Sequence, residues 1–157
     1  CVRWLRLRAA IRREDEERLA AVFDLDATLV GRGDERIEPT CALLHTCAAL
    51  RITPFFVTAR SEEGRQYTED QLRRMGLGGL HKRLFMHPAD APASAAGRVK
   101  AHARERIRAH GYAVCFNAGD ALHDHFHPTP PAFRQTLHGG LGVFVTEDGV
   151  GHLKLPG

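Results

Sequence analysis

Residues 21–30 read Ala-Val-Phe-Asp-Leu-Asp-Ala-Thr-Leu-Val, an apolar run that ends in two carboxylates and a hydroxyl. Side chains two residues apart share one face of a strand, so we expect Asp24 and Asp26 to emerge together where a buried strand stops. Two such anions repel each other unless a cation or a shared proton lies between them. A catalytic pair fits this pattern, because one carboxylate can attack while its neighbour moves protons. The alternative is a strand that runs into an acidic turn, since Asp is common in loops.

Composition indicates one ordinary globular domain over residues 1–157, with 43% hydrophobic and 26% charged residues. The 22 basic residues nearly balance the 19 acidic ones, which argues against a nucleic-acid surface. No apolar run approaches the ~20 residues that a membrane span requires, so we expect a soluble protein without a membrane partner. A cytoplasmic location is favoured, although a chain that starts with Cys1 leaves the true N-terminus open.

The first twenty residues predict a helix that packs on the core or precedes it. Trp4, Leu7 and Ile11 recur at helical spacing, and a run of charged residues follows at 12–18. Trp4 is the expected anchor. The four cysteines form no Cys-x-x-Cys pair, so we interpret them as free thiols.

The next segments alternate between strand and helix patterns, which is typical of a parallel sheet. A short, turn-rich stretch at 30–38 predicts a small flap, and Pro39 suits the first turn of a helix that ends near Leu50. The apolar run 52–57 predicts a second strand that ends at Thr58. Ligands gather at the carboxyl ends of such strands, so Thr58 is expected beside Asp24.

Two further helices and strands are predicted before residue 120. Ser61 is expected to cap a helix that closes at Gly76, and Ser94 a longer helix that runs to His110. Between them lies a weak strand at 83–86. Lys100 falls early in the longer helix and offers a compact positive charge that could pair with a carboxylate; Lys82, in the preceding loop, is the alternative lysine.

The strand predicted at 112–116 leads into Gly119, Asp120 and, four residues later, Asp124. Glycine lets the backbone turn sharply, and carboxylate oxygens are the hard ligands that Mg²⁺ prefers. Beyond this point we expect a short helix to His138, a strand at 143–145 and a hairpin turn at 148–149.

These segments, taken in order, resemble the four motifs of the haloacid dehalogenase (HAD) superfamily of phosphotransferases. The motif sequences are most similar to those of the class B and class III acid phosphatases, a group that includes plant vegetative storage proteins. The resemblance spans about residues 21 to 125. Ala27 stands where this group usually has Glu or Gly, and Ala59 where it usually has Gly.

The resemblance implies a three-layer α/β/α, Rossmann-like fold with a mainly parallel sheet and no large cap domain. It implies phosphomonoester hydrolysis through an aspartyl-phosphate, with Asp24 as nucleophile and Asp26 as general acid and base. Thr58, Ala59 and Lys100 would bind the phosphate. Mg²⁺ would be held by Asp24, the Asp26 main-chain oxygen, Asp120 and Asp124.

An open site suits exposed phosphates such as those of nucleotides, unless a second subunit of a homo-oligomer supplies a lid. One alternative is a phosphoprotein phosphatase of the polymerase C-terminal-domain type, whose opening motif is similar. Another is a non-catalytic storage or binding protein on the same scaffold. The alternating His123, His125 and His127 raise a transition-metal site as a weaker hypothesis than three pocket-lining histidines.

Overall fold

The computed structural model describes residues 1–12, 17–128, 142–146 and 150–156, without the side chains at 80–82 and 143–144. A six-stranded sheet has the order β3-β2-β1-β4-β6-β5. Its strands are β1 Arg18–Phe23, β2 Thr53–Ser61, β3 Leu84–His87, β4 Tyr112–Gly119, β5 Gly142–Val145 and β6 Gly151–Lys154. The helices are α1 Val2–Ala10, α2 Glu38–Ala49, α3 Arg65–Arg74 and α4 Ala96–Ala109. Every strand pair is parallel except β5 with β6, so the predicted α/β fold with a mainly parallel sheet is confirmed.

Helices α1, α2 and α3 supply residues to one apolar cluster on the sheet. Leu5, Leu44 and Leu72, one from each helix, are buried there with Phe23 and Phe56 of the central strands. Trp4 packs against the same cluster, and its indole N–H donates to the Cys115 carbonyl at 3.2 Å. Trp4 is therefore the anchor that its spacing predicts.

Helix α4 covers the other face of the sheet. Its Ala103 and Ile107 pack against Val22, Phe55 and Val114 in a second, smaller cluster. Alternating strand residues thus enter two separate apolar layers, as expected for strands covered on both faces. This arrangement is the three-layer α/β/α architecture.

The N-terminal helix is shorter than predicted. It ends at Ala10, and the central strand already begins at Arg18. The apolar spacing was also partly misleading, because Leu7 and Ile11 are 52% and 63% exposed while Leu5 is fully buried. Strand pairing on both sides of β1 explains the early start, since Arg18 already aligns with Tyr112 of β4.

The two later helices begin differently from the prediction. The Ser61 hydroxyl accepts from the Glu63 N–H, but it opens a 3₁₀ turn before α3. The residue that precedes α4 is Ala95, so the predicted Ser94 cap is wrong. Both predicted endings hold, because Gly76 and Gly111 have positive φ of 76° and 80°, where glycine is least strained.

All four cysteines are free, as predicted. Strands β5 and β6 pair antiparallel, whereas the expected turn at 148–149 and the helix to His138 lie outside the described residues. No helix in the described part of the chain has the length and apolar character needed to span a membrane. The single domain over 1–157 stays a prediction.

Candidate active site

The first motif lies at the carboxyl edge of the sheet, directly after β1. The Asp24 N–H donates to the Ala118 carbonyl at 2.9 Å, which extends the β1–β4 ladder past the end of the strand. This bond fixes the backbone of Asp24 beside Gly119, the last residue of β4. The carboxyl ends of the two central strands therefore bring the first and fourth motifs together.

Lys100 joins these two motifs through its side chain. Its ammonium group donates to Asp24 Oδ1 at 2.9 Å and also to Asp124 Oδ1. All three side chains are buried. A buried charge is costly unless it is paired and hydrogen-bonded, and here one lysine serves two carboxylates.

Asp124 is held by its own loop and by α4. Its Oδ2 accepts from the Ala121 N–H at 2.9 Å, and its main-chain carbonyl accepts from Arg104 Nη1 at 2.8 Å. A side chain at Gly119 would overlap the Asp124 carboxylate. Gly119 is therefore required for close packing rather than for the sharp turn that the sequence indicated.

Three carboxylates form a compact acidic cluster: Asp24, Asp120 and Asp124 each offer an oxygen within 4.8 Å of the others. Against the charge of Lys100, three ionised carboxylates leave a deficit of two positive charges. A divalent cation would make up this deficit, and an all-oxygen donor set suits a hard ion such as Mg²⁺. The donor chemistry and the charge balance both fit a divalent metal.

The ionisation of these groups reflects the same shortage of positive charge. Burial, and then the Asp124 carboxylate, raise the pKa of Asp24 to about 8, although Lys100 opposes the shift. Burial and Asp124 also raise the pKa of Asp120. Burial lowers the pKa of Lys100, but Asp24 and Asp124 outweigh it, so the net shift is upward. Asp24 therefore tends to keep a proton until another cation approaches it.

Asp26 lies outside this buried cluster. Its side chain is 59% exposed and pairs with Arg60, which donates from Nη2 at 2.6 Å and from Nε at 3.0 Å. Arg60 is in turn held by Gln71 Oε1 at 2.6 Å and by the Thr68 hydroxyl at 3.4 Å. The second carboxylate of the motif thus has a fixed partner on the solvent side.

The short flap after the first motif is fastened to α3. Asp34 accepts from Gln71 Nε2 and from the Tyr67 hydroxyl, both at 2.7 Å. Because Gln71 also contacts Arg60, polar contacts run continuously from the flap to Asp26. The bond from Tyr67 also holds its ring on the surface, where it is 54% exposed.

The predicted phosphate-binding residues on β2 lie next to Arg60. The Thr58 side chain is buried, and its hydroxyl accepts from the Arg60 N–H at 3.2 Å. Ala59 is exposed. The hydroxyl of Thr28, the last polar group of the first motif, is buried and has no partner among the described residues.

The structure brings Asp24, Lys100, Asp120 and Asp124 together and sets the Asp26 side chain apart. Its main-chain oxygen as a metal ligand stays a prediction, and the side chain of the alternative lysine, Lys82, lies outside the described residues. The roles of all these residues are proposals, taken up below.

The three alternating histidines separate. His125 is buried against His152, His127 is exposed, and His123 Nε2 lies 3.8 Å from Asp124 Oδ1. Among the described residues, a group of three or more potential metal ligands occurs only at the acidic cluster. The transition-metal hypothesis is therefore not supported there.

Sequence reasoning gave no role to Arg60 or Arg104, which hold Asp26 and the Asp124 loop. A signal existed for Arg60, because it lies two residues after Thr58 and so belongs to the same face of an extending strand. Arg104 follows Lys100 by one helical turn, which places both on one side of α4.

A Rossmann-like sheet with paired aspartates, a buried lysine and an acidic loop at its carboxyl edge defines an enzyme of phosphoryl transfer with the HAD fold. Residues 26–137 match the family described as HAD superfamily, subfamily IIIB (Acid phosphatase). The match covers more than half of the chain, so the chain belongs to this family, and it is a phosphatase.

Among solved structures, the chain is similar to the class C acid phosphatase from Bacillus anthracis. The TM-score is 0.62 with 13% sequence identity, and the similarity covers 99% of this chain and 73% of that one. At this identity the likeness shows the fold alone. No curated protein sequence matches the chain.

Proposed function

We propose that the protein is a Mg²⁺-dependent phosphomonoester hydrolase that works through an aspartyl-phosphate on Asp24. The observation that carries the proposal is the contact of one buried ammonium group, that of Lys100, with both Asp24 and Asp124. A phosphate drawn to the same charge would lie in reach of the Asp24 carboxylate. Lys100 would then hold the nucleophile and stabilise the phosphoryl oxygens.

In the first step an Asp24 oxygen attacks phosphorus in line, and the bond to the leaving oxygen breaks. The electron pair goes to that oxygen, which takes a proton from Asp26. In the second step Asp26 removes a proton from water, and the water attacks the aspartyl-phosphate to release inorganic phosphate. Arg60 keeps Asp26 oriented at the solvent side, where the leaving group departs.

Asp24, Asp120 and Asp124 would hold the metal, together with the Asp26 main-chain oxygen. When bound, Mg²⁺ supplies Lewis-acid chemistry that offsets the charge of the phosphoryl oxygens. Thr58 and the Ala59 backbone would bind the phosphate from β2. Thr58 has a buried hydroxyl fixed by the Arg60 N–H, which supports a positioned donor rather than a mobile one.

The substrate is proposed to be an exposed phosphate, such as that of a nucleotide. Between the first motif and Lys100, the described chain contains helices, strands of the sheet and short turns, with no inserted cap domain. The flap with Asp34 is also fixed against α3, so it does not form a large cover. A lid from a second subunit of a homo-oligomer stays a prediction.

The test is turnover of p-nitrophenyl phosphate and of a panel of nucleotides and phosphopeptides, with and without Mg²⁺. We expect Mg²⁺-dependent turnover that Asp24→Asn abolishes. Asp26→Asn should retain phosphate transfer to the enzyme from p-nitrophenyl phosphate, whose leaving group needs little protonation, but release phosphate slowly. Full activity in Asp24→Asn, or none in the unmutated protein, would overturn the proposal. A strong preference for phosphopeptides would favour the polymerase C-terminal-domain type of phosphatase.

A further inference from the structure

A small cavity with both polar and apolar walls lies between α4 and the β4–β6 pair, next to the loop of the acidic cluster. Its volume is about 210 Å³, and its walls include Arg104, Arg108, Asn117, His125 and His152. A water molecule takes about 30 Å³ of liquid volume, so the cavity has the size for a few waters or one small polyatomic ion.

Arg104 is a buried cation that lines this cavity. Its side chain belongs to a residue that is 5% exposed, and its hydrogen bond goes to a neutral group, the Asp124 carbonyl. No carboxylate forms an ion pair with it within the described part of the chain. Burial, and also the like charge of Arg108, lower the pKa of Arg104 to about 10, although Asp124 and Glu105 oppose the shift. Buried charges are normally paired with an opposite charge, so an anion bound next to this guanidinium would be favourable.

Among the residues that the structure describes, the nearby charged groups do not supply that anion. The Asp124 carboxylate is occupied by Lys100 and by the Ala121 N–H. Arg108, one turn after Arg104 on the same side of α4, adds a second positive charge at the cavity. Five N–H groups of a guanidinium can donate, and Arg104 uses one of them on the described protein.

Asn117 is a second buried polar group at this cavity whose hydrogen-bonding capacity is not used within the described part of the chain. It is 2% exposed, and its Oδ1 has no hydrogen-bond partner among the described residues. A buried acceptor that lacks a donor costs free energy, so a group in the cavity with a proton to donate would be favoured. The ligand therefore needs several acceptor oxygens and one O–H.

The two histidines, His125 and His152, form one wall of the cavity. The ring nitrogens His125 Nδ1 and His152 Nδ1 lie 3.1 Å apart, and His125 Nε2 faces the Gly119 carbonyl at 3.4 Å. Arg104 and Arg108 bring positive charge to this cavity.

We propose that this cavity binds one inorganic phosphate ion, separately from the active site. Phosphate oxygens accept from Arg104 and Arg108, and the P–OH of the hydrogen phosphate ion donates to Asn117 Oδ1. Arg104 also holds the main chain of Asp124, so an occupied cavity stabilises the loop that carries two of the three clustered carboxylates. The chemistry selects phosphate over sulfate, which has no proton to donate at neutral pH.

The experiment is thermal unfolding of the metal-free, full-length protein at pH 7 in potassium phosphate, sulfate or chloride at equal ionic strength. Without a metal, the acidic cluster repels anions, so a specific effect of phosphate should come from the cavity. Phosphate at about one hundred times its Kd should raise Tm by about 5–10 °C over chloride. Sulfate should have a clearly smaller effect.

Three variants locate the effect. Asn117→Asp places a carboxylate beside Arg104; it should raise Tm in chloride and remove the response to phosphate. Arg108→Gln should reduce the phosphate response, whereas the matched control Arg106→Gln, an exposed arginine two residues earlier on α4, should keep it. If Asn117→Asp does not fold, the Arg108 and Arg106 pair decides alone.

Several results would overturn the proposal: no phosphate response in the unmutated protein, an equal response to sulfate, or equal responses in Arg108→Gln and Arg106→Gln. None of these measurements involves turnover. Their failure would therefore leave the proposed phosphatase mechanism untouched, and a catalytically inactive protein could still show the phosphate response.

Discussion

Asp24 and Asp26 are separated by one residue, yet they lie in opposite environments. Asp24 is buried with Lys100, whereas Asp26 is more than half exposed and pairs with Arg60. The same type of side chain therefore forms a desolvated ion pair at position 24 and an ion pair on the solvent side at position 26. The comparison teaches that the partner and the burial, not the residue type, distinguish the two carboxylates, and this difference underlies the roles proposed for them, nucleophile for Asp24 and proton carrier for Asp26.

The largest difference is expected when each carboxylate loses its cation. Lys100→Met leaves two buried carboxylates without their shared partner, so turnover should fall by about 10³-fold and the unfolding free energy by about 3–5 kcal/mol. Arg60→Met removes a partly exposed pair, so we expect a loss of stability of about 1 kcal/mol or less and a smaller loss of turnover. Steady-state kinetics and urea unfolding measure both. Equal effects of the two substitutions on turnover and stability would contradict the distinction between the buried Asp24–Lys100 pair and the exposed Asp26–Arg60 pair.

The second prediction concerns the pH dependence of stability. In the metal-free fold, burial raises the pKa of Asp24 to about 8, so between about pH 4 and pH 8 the folded state binds a proton that the unfolded state has released. Stability should therefore fall as pH rises through this range. Saturating Mg²⁺ should restore more stability at pH 8 than at pH 5, because it favours the ionised carboxylate.

Asp24→Asn serves as the control for this pH effect. It cannot ionise, so its metal-free stability should vary less with pH than that of the unmutated protein. Urea unfolding at pH 5, 6.5 and 8 measures the pH dependence of stability in both proteins. A steeper loss of stability toward pH 8 in Asp24→Asn than in the unmutated protein would contradict the assignment of this pH dependence to Asp24.

The smallest effect is expected from a substitution at Ala27, the residue between Asp26 and Thr28. Ala27 has φ of 53°, a left-handed conformation that costs an L-residue about 1–2 kcal/mol. Ala27→Gly should relieve that strain and, after the greater flexibility of unfolded glycine is subtracted, stabilise the protein by about 0.5 kcal/mol.

Ala59→Gly is the matched substitution, because the resembling phosphatases usually have glycine there as well. Ala59 lies within β2, where glycine should instead destabilise by about 0.5–1 kcal/mol. Equilibrium unfolding in urea should give shifts of opposite sign. Destabilisation by both substitutions would show that the turn at Ala27 is not strained.

Patterning predicted the order of strands and helices well, because β1, β2 and β4 contain apolar runs and the predicted helices have start or stop signals such as Pro39, Gly76 and Gly111. It failed where local signals compete with pairing. Arg18 looked like part of a charged helix, yet it belongs to a strand that two neighbours extend on both sides. Ser94 looked like a cap, but a 3₁₀ turn precedes α4 and its last residue, Ala95, takes that position.

The site divides in the same way. Motif order placed Asp24, Lys100, Asp120 and Asp124 together, because parallel strands and a helix between them leave few other arrangements. It could not place Asp26, since alternation in a strand suggests a shared face and says nothing about the chain leaving the strand at Asp24. The contact between Asp26 and Arg60 depends on the pairing of β1 with β2, which the spacing of Arg60 from Thr58 does not specify.

By itself, the sequence determined the chemical groups and their order along the chain: two carboxylates after an apolar run, then a hydroxyl, a lysine and an acidic loop. Periodicity and charge act over a few residues, so these features can be read locally. Only the tertiary structure decided which carboxylate is buried, which cation serves it, and that Arg104 is enclosed with a neutral carbonyl as its hydrogen-bond partner. Burial and long-range pairing arise when distant segments pack, and desolvation then makes identical side chains different.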